Sequence, residues 1–94
     1  MKNLIVTDAI KAKLKTRHKV ELREVEQCFE NKLGRLLTDN RALHKTNPPT
    51  LWFIAETNKG RVLKMVYIQI EMKIHLKTAY EPNEVEKQIY RLHG

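Results

Sequence analysis

Thr50 to Glu81 reads TLWFIAETNKGRVLKMVYIQIEMKIHLKTAYE, and this stretch decides the fold. Thr50 to Thr57 is rich in aromatic and β-branched side chains, which fit a pleated surface better than a helix. Asn58-Lys59-Gly60 is a turn signal, and Arg61 to about Ile70 returns as a second strand, so the pair predicts a hairpin. Glu71-Met72-Lys73 lacks a turn glycine. The alternation Ile74, Leu76, Thr78, Tyr80 nevertheless predicts a third antiparallel strand rather than one very long one.

Upstream, Leu4-Ile5-Val6 predicts a short opening strand, with Thr7 as N-cap of a helix running through Arg17 whose buried stripe is Ile10 and Leu14. A second helix is expected from Leu22 to Asn31, with Leu22, Val25 and Phe29 on one face and Cys28 beside them as a small core residue. Gly34 stands where a helix C-cap is wanted, and Arg35 to Thr38 starts a strand. Asp39 to Pro49 is a polar connection closed by Asn47-Pro48-Pro49, which cannot be helical. Downstream, Asn83 and Glu86 form a capping box for a last helix carrying Val85, Ile89 and Leu92. The expectation is one α+β domain over residues 1–94: a short N-terminal strand, two helices, an antiparallel meander of three to four strands and a C-terminal helix.

Ninety-four residues allow one modest core, burying about 60 to 65 % of the unfolded surface. No apolar run reaches the roughly 20 residues of a membrane span. Asp8 and the lysines after it interrupt any signal-peptide core, and a single cysteine cannot close an intrachain disulfide. A cytoplasmic protein is expected. The net charge of +7 is uneven: residues 1–20 carry six Lys/Arg against Asp8, residues 59–77 five against Glu71, and residues 21–31 four Glu against Arg23. Two basic segments brought together would attract a polyanion by counterion release, and RNA is the expected partner. An acidic protein partner, or basicity for solubility alone, remains the alternative.

His18-Lys19-Val20-Glu21-Leu22-Arg23-Glu24-Val25 resembles the H-G-V-S-F-E-E-A segment of the BrnT family of bacterial toxins. Gly60 to Tyr67 resembles that family's G-R-V-L-V-V-V-Y strand, and Ile74 to Glu81 its I-R-I-I-S-A-R-K strand. A Glu-rich helix with a tyrosine, here Glu84 to Tyr90, follows in both. Three positions depart: Lys19 stands for glycine, Glu21 for the capping serine and Tyr80 for an arginine. The chain is also similar to small bacterial proteins with T-L-W-F-I-A-E-T and K-T-A-Y-E-P-N segments that go by the name ADP-ribosyl-(dinitrogen reductase) hydrolase. The hydrolase proper is a much larger helical enzyme with a two-metal carboxylate site, which nothing in this chain supplies. The resemblance implies a RelE/BrnT-like fold and a toxin of a type II toxin–antitoxin pair that cuts mRNA without a metal. It also implies a cognate antitoxin, in a homodimer or a toxin–antitoxin hetero-oligomer.

Such cleavage needs a base for the 2′-hydroxyl, cations for the phosphate and an acid for the leaving oxygen. Arg61, Lys77 and Tyr80 are the leading catalytic residues, with His44 in the polar connection and Glu56 as general base. The quieter role for Glu56 is a salt bridge to Arg61 across the hairpin. His75 and Lys77 are expected on one face of the third strand. His18, Arg35, Arg41, Lys45, Lys64 and His75 are candidate RNA contacts, and Trp52 could stack on a base or belong to the core. The direct matches to the family pattern are His18 and Arg61. The four histidines show no close metal-ligand spacing and there is no Gly-rich phosphate loop, so no cofactor is expected. A non-catalytic nucleic-acid-binding module and a protein-interaction domain with an acidic partner are the alternative functions.

Overall fold

The computed structural model describes residues 1–38 and 48–94. The chain runs β1 (Leu4–Ile5), α1 (Asp8–Lys13), a π-helical turn (Leu14–His18), α2 (Leu22–Glu30), β2 (Leu37–Thr38), β3 (Thr50–Glu56), β4 (Val62–Ile70), β5 (Lys73–Tyr80) and α3 (Glu84–His93). It is an α+β domain with one sheet in the order β1-β5-β4-β3-β2. β2 to β5 are the antiparallel meander, while β1 adds to its edge in parallel, Leu4 beside Ile74 and Ile5 beside His75.

The hairpin pairs Glu56 with Val62 and Phe53 with Met65. Gly60 turns it at φ 84, a conformation open to glycine at little cost. The second turn is Glu71-Met72, and there Glu71 itself takes a positive φ of 56. β5 does not alternate strictly. Tyr67 pairs with Leu76 and Val66 with Thr78, which leaves Lys77 without a cross-strand partner as a bulge. Leu76 and Ala79 are therefore both buried although three residues apart. The expected common face of His75 and Lys77 is lost at this bulge, and His75, Thr78 and Tyr80 share the outer face instead.

The first helix begins as expected, Thr7 Oγ1 accepting from the Ile10 amide at 3.3 Å. Its last turn widens into the π-helical segment, which closes on Lys19 at φ 55. Leu14, Val25 and Cys28 drive into Phe53, Leu63 and Met65, so both N-terminal helices cover one face of the sheet. The Cys28 thiol lies 3.7 Å from the Ala55 carbonyl, and burial, with Glu24 nearby, pushes its pKa up to about 11. It is an inert core residue. β1 and α1 lie against β5, which sets the lysine-rich residues 1–20 beside exposed Lys73 and Lys77.

α3 lies on the opposite face, capped reciprocally by Asn83 and Glu86. Its expected apolar stripe is not what it buries: Val85, Ile89 and Leu92 are 66 %, 42 % and 69 % exposed. The contacts run through Glu86 and Tyr90 instead, whose ring sits 5.8 Å from that of Trp52. Gly34 is not a helix C-cap either, since α2 ends at Glu30 with Asn31 as its C-cap. It is glycine because Tyr90 lies on it, a Cβ there falling 2.5 Å from the Tyr90 hydroxyl. No described helix is long and apolar enough to cross a membrane.

Gly34→Ala should cost about 1 kcal/mol by overpacking. In a Tyr90→Ala background the same change should be nearly neutral, and a double-mutant cycle by urea denaturation measures the difference.

Candidate functional site

Two cations stand three residues apart, Arg61 immediately before β4 and Lys64 within it, and the extended chain sends them to opposite faces. On the α3 face, Lys64 is 8 % exposed, a depth at which an ammonium requires a partner. Its Nζ lies 2.6 Å from Glu86 Oε2, and Tyr80 donates its hydroxyl to the same oxygen at 2.7 Å. The ammonium also stands 4.4 Å from the centre of the Trp52 ring and 5.6 Å from that of Tyr80. His18 closes the group, its ring 5.6 Å from that of Tyr80. Glu86 Oε1 meanwhile accepts the Asn83 amide at 3.0 Å, so one carboxylate both caps α3 and fastens it to the sheet.

Burial raises the Glu86 pKa, but its bonds from Lys64, Tyr80 and the Asn83 backbone outweigh that, and the net shift is downward. His18 is lowered by burial and by Lys13 and Arg17, which favours its neutral imidazole. Around the Tyr80 phenol the arrangement thus gathers an ionised carboxylate, an ammonium and an imidazole whose neutral form is favoured.

On the helix face, Arg61 is fully engaged by protein. Its guanidinium donates to the carbonyls of Lys19 at 2.8 Å and His18 at 3.2 Å, to Glu24 Oε1 at 3.0 Å and to Glu81 Oε1 at 3.1 Å. Glu24 Oε1 also accepts the Glu21 amide at 3.0 Å, the same dual use as Glu86. Burial raises Glu24, the Glu21 backbone and Arg61 lower it, and the net shift is downward. The cross-hairpin Glu56–Arg61 bridge is not formed, because Glu24 and Glu81 take the guanidinium.

Of the residues singled out in the sequence, His18, Trp52, Lys64 and Tyr80 therefore meet, with Arg61 holding the His18–Lys19 turn from beneath. Glu56 is exposed at the end of β3, beyond β4 from Tyr80 and roughly 10 Å away across the strands. His75 lies toward the other end of β5, Lys77 is exposed at the bulge, and Arg35 is exposed before β2 on the far edge. Arg41, His44 and Lys45 lie outside the described residues. Glu86, Glu24 and Glu81 complete the two networks and were not among the expected site residues. The capping box flagged Glu86, yet that role accounted for only one of its oxygens. Among the described residues no three His, Cys, Asp or Glu side chains converge as metal ligands. No family model, curated protein or solved structure matches this chain.

The stability supplied by Glu24 and Glu86 is complete above the ordinary glutamate value of 4.5 and is lost as the pH falls through their lowered folded-state values. Urea denaturation should thus show stability falling as the pH drops below the ordinary glutamate value of 4.5, with a shallower fall in Glu24→Gln. At neutral pH, Arg61→Ala should cost about 2 kcal/mol, since it leaves Glu24 and two carbonyls without their donor.

Proposed function

We propose that this chain is a type II toxin that acts on mRNA as a metal-independent endoribonuclease in the cytoplasm, and that a cognate antitoxin protein silences it. The observation that carries this reading is the convergence of Lys64 and Tyr80 on one oxygen of Glu86, with the His18 ring 5.6 Å from that of Tyr80. These are side chains that can cleave RNA with no cofactor.

In this mechanism the 2′-oxygen attacks phosphorus and its proton passes to neutral His18. The 5′-oxygen leaves with the Tyr80 proton, and a 2′,3′-cyclic phosphate remains. The Lys64 ammonium stabilises the charge that develops on the phosphoryl oxygens; Trp52, buried at 8 % exposure under Lys64 and Tyr90, is a core residue that supports the ammonium rather than an open surface for a base. Lysine-rich residues 1–20 beside Lys73 and Lys77 supply a basic edge along which an RNA backbone can be drawn. The resemblance to BrnT-like toxins agrees with the local backbone. Lys19 adopts φ 55 where that family has glycine, and Glu21 shares a capping box with Glu24 where it has serine.

Induction of the chain alone in bacteria should arrest growth within minutes and fragment mRNA. Tyr80→Phe, His18→Ala and Lys64→Met should each slow cleavage about 100-fold or more. Normal growth and intact RNA at verified soluble expression would overturn the ribonuclease reading. Salt-dependent RNA binding without cleavage would then favour a binding module.

A further inference from the structure

Two donors of different chemistry, the Lys64 ammonium and the Tyr80 phenol, aim at a single anionic oxygen above an indole face. That is the geometry of an oxyanion receptor, and the oxygen filling it comes from a helix with little buried surface of its own. α3 buries none of its residues and turns Val85, Ile89 and Leu92 outward. Its hold on the sheet rests on Glu86 and Tyr90. A carboxylate oxygen and a non-bridging phosphate oxygen accept the same charge-assisted bonds at the same distances, so the two can exchange in one receptor.

We propose that Lys64 and Tyr80 over Trp52 form a binding site for one phosphate group, which the Glu86 carboxylate occupies in the free protein. The phosphate enters as α3 lifts, and the Glu86 oxygen is the internal competitor it displaces. The inference builds on the ribonuclease reading, in which this phosphate belongs to RNA, but the receptor itself requires only a phosphate.

Trp52 is the chain's one tryptophan, so its fluorescence reports on this site alone. Inorganic phosphate is titrated into the full-length parent, into Glu86→Gln, and into Glu86→Gln combined with Lys64→Met, with folding checked by circular dichroism. Glu86→Gln should bind phosphate at least about tenfold more tightly than the parent, and Lys64→Met should abolish that binding, because it removes the charged donor. Ile89→Pro, at an exposed position that leaves the core intact, breaks α3 and should also tighten phosphate binding. It serves as the test if Glu86→Gln does not fold.

Equal affinity in the parent and the released variants, or binding that survives Lys64→Met, overturns the proposal. The dinucleotide UpU, titrated in parallel, separates an RNA phosphate from a free one: the proposal expects both to bind at this site. Phosphate binding with no RNA cleavage would leave the receptor standing and remove the ribonuclease, whereas cleavage with no gain on releasing Glu86 would do the reverse.

Discussion

The architecture depends on two cations, Arg61 at the entry to β4 and Lys64 within it, each held by the third residue of a helix. Glu24 and Glu86 both place one oxygen on their own helix's N-cap amide and offer the carboxylate to a sheet-borne cation. Because the cations sit three positions apart along extended chain, the helices dock on opposite faces. Helix initiation and helix docking are thereby one event at each end. A helix that frays loses its anchor, and a cation that loses its anchor is left partly buried with its charge uncompensated, the more costly outcome.

The two nodes differ in what else supports them. Beneath Arg61, the aliphatic packing of Leu14, Val25 and Cys28 on Phe53 and Met65 would hold α2 even with a weakened ion pair. Above Lys64 there is no comparable support, for α3 contributes a carboxylate and a tyrosine while its aliphatic side chains face outward. α3 therefore rests on few apolar contacts, and opening it would uncover the sheet face beneath. That face is where a buried ammonium, a phenol, an imidazole and an indole are gathered. The same polar node can hold the molecule together and be its reactive surface, because the charges that bind Glu86 are those a phosphate would use.

Much of this was legible in the sequence where the signal is local. The Thr50–Ile70 hairpin, the Thr7 and Asn83 caps and the buried face of α2 follow from residue type and spacing over a few positions. The failures are long-range. Nothing near Leu4 announces that β1 will lie parallel to β5, and the bulge at Lys77 arises from a register set by β4, so strict alternation put His75 and Lys77 together wrongly. Gly34 suggested a helix end, but its reason is the ring of Tyr90, more than fifty residues away. The stripe of Val85, Ile89 and Leu92 looked like a core face because hydropathy cannot tell a buried stripe from an exposed one. His18, Lys64, Tyr80 and Trp52 were visible as residue types, but their meeting point was not, since the carboxylate that joins them already had an explanation as a cap.

The most direct test of the account is a chemical-shift map of the isotopically labelled chain titrated with a short unstructured RNA. The account predicts that the Trp52 indole, Tyr80 and the α3 residues from Glu84 onward shift together, with the α3 amides moving toward positions typical of a released helix. Shifts confined to the lysines of residues 1–20 and to β5, with Trp52 and α3 unmoved, would show that RNA meets the basic edge alone and would contradict a site beneath α3.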